Sequence, residues 1–389
     1  VDIFQAVRDD FAVQRSIPVW KRPYHISINF LARVWLKLIF RGTIVAITGS
    51  VGKTTIKRLL KAALADLGPI ATSDNLDPIF NIPHTMLRLR PGNKMLIVEM
   101  GVEYPGEMDY YLSLVRPNIA IITKISVTHT EFFKNRAGVF AEKIKIFNYL
   151  KKSDLAIVPN DEKDLVDLVK KQKGLKMLVG AGGEVAVTDF KQDIEGSTFN
   201  IVFQGKKYPV KLALVGKHNA YLAAIAFGVA MHLKVNPVKV ILNLGSVEAP
   251  KNRLNILKTK KGFTIISDVY NSSPSAVIAA MDVLADIKTP GKKVVVFSDM
   301  LELGELEKVE HERLAQLFDK YGFDELALWG NSVKFTASAA KGNKRVKLFD
   351  SKTELVSYLS KNLGKSDVVL VKGSHGMKLS EVVTKLTLL

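Results

Sequence analysis

The chain has 389 residues, enough for two or three domains with their own cores, and 47% apolar against 24% charged residues is the balance of a globular protein. It contains no cysteine, which excludes disulfides and thiolate metal sites and agrees with a cytoplasmic location. The net charge of +18 favours anionic partners, but the lysines and arginines are dispersed with no basic run interleaved with aromatics. That argues against nucleic acid and leaves an anionic small-molecule or peptide substrate, an anionic membrane surface or simple solubility as equal readings of the charge.

No secretory signal pattern opens the chain at Val1. The first predicted element is a helix within His25–Phe40, too short and too charged to span a bilayer. Leu31, Val34, Trp35 and Leu38 fall at helical spacing, with Asn29, Arg33 and Lys37 off that stripe. Two readings stay open: the helix packs on the next domain, or residues 25–40 make peripheral contact with the inner face of a membrane. Residues 1–41 are thus an N-terminal helical segment.

From Thr43 onward strands and helices alternate. Thr43–Thr48, Lys94–Met100 and Asn118–Ile125 are continuous apolar runs that suit strands buried on both faces of a parallel sheet. Lys53–Leu67 reads as a helix, Leu155–Pro159 and Lys176–Val179 as short strands, Asp189–Val210 as a hairpin, and Lys217–Leu233 as an Ala-rich helix. Gly, Ser and Pro interrupt the pattern near Gly245–Pro250. A second series follows, with strands over Phe263–Asp268, Lys292–Asp299, Glu325–Gly330 and Asp367–Gly373. The class is α/β: a central P-loop, ATP-binding domain with a mostly parallel sheet over 42–248, and a Rossmann-like α/β domain over 249–389.

Thr48-Gly49-Ser50-Val51-Gly52-Lys53-Thr54-Thr55 lies between a strand and a helix, where backbone N–H groups and a helix N-terminus can hold phosphate. Lys53 would reach the β- and γ-phosphates, and the Thr54 hydroxyl would ligate Mg²⁺. The strict motif is not met, because Ile47 occupies its first glycine position. Glu99 and His129 sit at or just past the carboxyl ends of neighbouring apolar runs, the side of a parallel sheet where ligands bind, and so are candidate metal ligands. Ala137–Leu150 reads as one helix, with Lys143 beside its apolar stripe. A buried ammonium loses its proton readily, and a neutral lysine amine can take up CO₂ as a carbamate. From the helix alone, snorkelling of Lys143 to water is the plainer reading.

Seven pieces in order, ITGSVGKTT, VEMGVEYPGEMDYY, RPNIAIITKISVTHTEFF with AEKIKIF, GKHNAYLAA, SDVYNSSPSA, SDMLELGELEKVEH and VKGSHG, resemble the Mur ligases, the amide-bond-forming enzymes of peptidoglycan synthesis. Within that family the chain is most similar to the D-alanyl-D-alanine-adding branch. YNSSP and DMLELG set it apart from folylpolyglutamate synthases. The resemblance implies ATP and two Mg²⁺ ions, an acyl-phosphate intermediate, a carboxylate substrate and an amine acceptor. Gly49, Ser50, Gly52, Lys53, Thr54 and Thr55 would hold phosphate. Thr54 and Glu99 would bind one ion, His129 and carbamylated Lys143 the other. Asn219, Arg253, Asp268 and Asn271 would contact the nucleotide, with Lys372 and Ser374 near the acceptor. A monomer is expected.

Three departures stand out. NLDPIFNIP carries Asp77 and Asn81 where the family pattern has Asn and Gly, and Ser298 replaces a glycine. The domain that grips the UDP-sugar in the family has no counterpart in the roughly forty residues before the first strand.

Overall fold

The computed structural model describes residues 17, 19–74, 76–128 and 130–388. The apolar runs become β1 (Thr43–Thr48), β3 (Met95–Glu99), β4 (Ile119–Ile122), β5 (Leu155–Pro159) and β6 (Leu175–Val179), joined by a short edge strand β2 (Ile70–Ala71). All six are parallel, and an antiparallel meander, β7 (Val185–Asp193), β8 (Gly196–Phe203) and β9 (Lys206–Leu212), extends the sheet in the order β2-β3-β1-β4-β5-β6-β7-β8-β9. Side chains alternate across each strand, so one run feeds two cores. Val45, Ile47, Ile97 and Ile121 pack under α2 (Lys53–Ala63) and the later Ala-rich helix Lys217–His232. Ile44, Ala46, Leu96, Val98 and Ala120 pack under α3 (Pro78–Leu87) and α4 (Glu107–Leu114).

The expected helix over Lys53–Leu67 stops at Ala63, and one 3₁₀ turn, Ala65–Leu67, closes on Gly68 in the left-handed conformation. The expected helix over Ala137–Leu150 is also divided. After a short turn of helix, α5 (Thr130–Phe133), α6 covers Arg136–Lys143 and a 3₁₀ stretch covers Ile144–Phe147. Packing that buries Ile146 and Phe147 outweighs the helical propensity of the stretch.

The second sheet has the order β10-β11-β15-β12-β13-β14. Its core strands are β11 (Thr264–Asp268), β12 (Lys293–Phe297), β13 (Glu325–Trp329) and β15 (Val368–Lys372), all parallel. Sequence patterning missed the edge strands, antiparallel β10 (Asn255–Lys258) and β14 (Val346–Phe349), because half-exposed strands carry no continuous apolar run. The two halves meet through Ser275 Oγ to Ser126 Oγ (2.9 Å), Thr130 Oγ1 to the Leu303 carbonyl (2.9 Å) and Gln192 Nε2 to Asp286 Oδ2 (2.8 Å).

The N-terminal helix, α1 (Arg22–Ile39), does pack on the first half, but not through its apolar stripe. His25, Asn29 and Ala32 are buried, whereas Leu31, Val34, Trp35 and Leu38 are 38–67% exposed. The helix therefore packs on the next domain with its apolar stripe left outside the contact. A polar network decides the orientation: Asn29 Nδ2 donates to Tyr110 Oη (2.8 Å), which lies 3.2 Å from His25 Nε2, and Arg33 donates to Ser113 Oγ (2.9 Å). Among the described residues no helix is long and apolar enough to cross a membrane.

Candidate active site

The loop after β1 owes its path to two glycines. Gly49 has φ +145°, and a Cβ there would lie 2.0 Å from Thr123 Oγ1; Gly52 has φ +84° and caps α2. Between them Ser50 Oγ donates to the Ser126 carbonyl (3.1 Å) and accepts from the Ser126 N–H (3.0 Å), tying the loop to the end of β4. Lys53 Nζ folds back to the Gly49 carbonyl (2.9 Å), and Thr54 and Thr55 face the same cleft. Burial, with help from the Arg253 charge, holds the Lys53 ammonium below the usual lysine range; Glu99 and Glu103 oppose that shift.

Pairing of Ile47 with Glu99 in register sets the Glu99 carboxylate beside the loop. Thr54 Oγ1 donates to it at 3.1 Å, and Lys57 Nζ lies 2.9 Å from its Oε2. Lys57 also reaches Asp74 (2.9 Å) and the Ser73 carbonyl (2.9 Å). A hydroxyl and a carboxylate at a phosphate loop are hard oxygen donors of the kind Mg²⁺ takes alongside water and phosphate. Among the described residues no group of three His, Cys, Asp or Glu side chains forms a metal cage by itself. His129 lies outside the described residues.

Lys143 is 1% exposed, so it does not snorkel to water. Burial, and then the Lys53 charge, pushes its ammonium well below the usual range, against the pull of Glu107, Glu142 and Glu103. It is not part of the cleft wall, whereas Glu103 and Glu107 are.

The cleft has a volume of about 840 Å³ and lies between the carboxyl ends of both sheets. Asn219, Arg253, Asp268 and Asn271, the expected nucleotide contacts, line it together with the loop. Asn219 Nδ2 donates to the Val215 carbonyl (2.7 Å), and the Arg253 guanidinium stacks 4.1 Å over the Tyr270 ring. Lys372 and Ser374 are buried and are not in the wall. Lys372 Nζ instead holds Asp268 (2.7 Å) and the Asn271 carbonyl (3.0 Å), and Ser374 Oγ accepts from Leu301 N–H (2.9 Å). Both departures near the loop have structural work. Asp77 caps α3 by accepting from Ile79 N–H (2.9 Å), and buried Asn81 pairs with both Ser73 backbone groups (3.0 and 2.8 Å).

Sequence reasoning missed Lys57, although it stands one helical turn beyond Lys53, and it missed the acidic wall of Glu103 and Glu107 inside a piece already singled out. Burial raises the Glu107 carboxyl to about 7, although it accepts N–H bonds from Glu103 (2.6 Å) and Tyr104 (3.1 Å).

A phosphate loop with a neighbouring carboxylate, faced across a cleft by a second α/β sheet, defines an enzyme that uses a nucleoside triphosphate. The Mur ligase middle domain matches residues 47–230, and the Mur ligase, glutamate ligase domain matches residues 252–375. The chain is 30% identical over 365 residues to the UDP-N-acetylmuramoyl-tripeptide–D-alanyl-D-alanine ligase of Bacillus subtilis (strain 168), covering 92% of this chain and 79% of that one. It superposes on MurF from Acinetobacter baumannii with TM-score 0.84 at 27% identity, covering 93% and 80% of the two chains. For MurF ligase from Thermotoga maritima in complex with ADP the TM-score is 0.83 at 26% identity, covering 93% and 83%. The chain belongs to the Mur ligase family, ATP-dependent ligases of cell-wall peptidoglycan synthesis.

Proposed function

We propose that this chain joins D-alanyl-D-alanine, or a closely related dipeptide or amino acid, to the free carboxylate of a UDP-muramyl tripeptide in the cytoplasm. The names of its relatives motivate the substrates. The observation that carries the chemistry is the Thr54–Glu99 contact of 3.1 Å at the phosphate loop, facing Arg253 and Asp268 across the cleft.

The backbone N–H groups of Gly49–Thr55 and the Lys53 ammonium bind the β- and γ-phosphates and orient the γ-phosphorus toward the carboxylate. Thr54 and Glu99 would hold one Mg²⁺, and His129 with carbamylated Lys143 a second; when bound, the ions offset repulsion between triphosphate and carboxylate. Lys143 fits that role because burial favours its neutral amine. The amine nitrogen attacks CO₂, forms the N–C bond and loses a proton. The substrate carboxylate takes the γ-phosphoryl group as ADP leaves, and the acceptor amine then displaces phosphate from the acyl phosphate to form the amide. Asn219 from the first half and Arg253, Asp268 and Asn271 from the second hold the nucleotide, and the second half closes the cleft against water. Lys372 and Ser374 act through Asp268, Asn271 and Leu301. One chain supplies both cleft walls, which supports a monomer.

The test is ADP release with UDP-muramyl-tripeptide plus D-alanyl-D-alanine, beside a panel of other acids and amines. Turnover restricted to the muramyl pair supports the reading. Turnover with another acid alone, or none with any pair despite ATP binding, overturns it.

A further inference from the structure

Helix α1 is amphipathic in the opposite sense from a helix that buries its apolar side. Its inner face is largely small and polar, with His25, Asn29 and Ala32 buried against α3 and α4 and Leu36 partly packed on the same core. Its outer face carries Tyr24, Leu31, Val34, Trp35 and Leu38, continued by Trp20 in the preceding turn, and these six are 38–77% exposed. At 3.6 residues per turn the five helical positions span an arc of about 100°. A continuous stripe of this size held toward water by a buried polar network marks a contact surface.

Charge identifies what it contacts. Lys21, Lys37 and Arg41 are exposed beside the stripe, and Arg88, Arg90 and Lys94 are exposed on the segment that follows α3. That segment adjoins α1, since Trp35 Nε1 donates to the Leu89 carbonyl (2.9 Å). Among the described residues none of these six cations pairs with a carboxylate. No Asp or Glu occurs between Ile17 and Ala65, or between Pro78 and Val98. An apolar stripe with Trp and Tyr, bordered by cations and free of carboxylates across 17–65 and 78–98, matches the boundary between phosphate headgroups and acyl chains. A two-fold contact between copies would set the same cations against one another, which disfavours a second chain.

We propose that the outer face of α1 rests on the surface of an anionic phospholipid bilayer, with the side chains of Trp20, Leu31 and Leu38 inserted and Lys21, Lys37 and Arg41 on lipid phosphates. This inference stands apart from the ligase reading.

The test uses the full chain and sedimentation with vesicles of phosphatidylglycerol plus phosphatidylcholine, or of phosphatidylcholine alone. The chain binds the anionic vesicles, and salt reverses the binding. The Leu31→Glu/Leu38→Glu variant partitions at least about tenfold less, with melting temperature and nucleotide binding unchanged because both positions face water. As a second readout, tryptophan emission shifts to the blue on adding anionic vesicles, and Trp20→Phe removes most of that shift. Failure of the intact chain to bind anionic vesicles overturns the proposal, and so does equal binding by the double variant. Two further results overturn it: binding that appears only after deletion of residues 1–16, which would make that segment the cover, and a dimer without vesicle affinity that Leu31→Glu/Leu38→Glu disperses.

Discussion

Lys143 ends a short helix and is enclosed by the core, and the cost of charging a buried amine is what would suit it to the proposed carbamate. Lys143→Ala is expected to lower amine-dependent ADP release by about a hundredfold or more, with added short carboxylates restoring part of the rate. Full turnover in that variant would remove the carbamate role. Lys53→Ala is expected to abolish ADP release while leaving the melting temperature near that of the parent, since among the described residues its ammonium hydrogen-bonds to its own loop carbonyl. Lys57 is different, because it separates the carboxylates of Asp74 and Glu99. Replacing it by Met leaves two like charges facing an apolar chain and is expected to cost on the order of 3 kcal/mol, read as a lower denaturation midpoint with an unchanged slope. Lys53, Thr54 and Glu99 were legible in the sequence because motif spacing and strand ends mark them. Lys57 was not, because its partner Asp74 comes from a loop that only the tertiary fold brings near.

At the scale of elements, α1 shows that periodicity locates an apolar stripe without deciding which face of the helix packs. The stripe of Leu31, Val34, Trp35 and Leu38 is there, but the inner face is chosen by Asn29, His25 and Arg33, whose partners Tyr110 and Ser113 lie about eighty residues away in sequence. Docking of α1 is expected to depend on acid. Burial, with a smaller effect of His84, lowers the His25 imidazole from 6.5 to about 4, so the folded state prefers it neutral. The stability this supplies is complete above pH 6.5 and is lost as the pH falls toward 4, because the unfolded chain then binds the extra proton. Melting temperatures between those limits should fall less steeply in His25→Asn than in the parent. An equal slope would show that another group carries the effect. The break of the helix after Lys143 was likewise hidden from local pattern, since only burial of Ile146 and Phe147 asks for it.

At the scale of the whole molecule, the site is a cleft whose two walls come from different sheets. Ser126–Ser275 and Thr130–Leu303 hold them together near the phosphate loop. A ligand that touches both walls should stabilise them as one unit: ADP at a hundred times its dissociation constant adds about 2.7 kcal/mol, seen as a raised melting temperature. Arg253→Ala, which removes a guanidinium from the second wall, should reduce that rise at equal ADP concentration. By itself the sequence determined the α/β class, the two strand–helix series, the phosphate loop and the family, because strand burial on both faces and phosphate binding at a helix start demand local patterns. The tertiary structure alone decided which face of α1 meets water, that Lys143 is enclosed, that Lys57 bridges two carboxylates, and that Lys372 braces the cleft wall from within. Those outcomes depend on desolvation and on partners distant in sequence, and neither quantity is a property of a local stretch of chain.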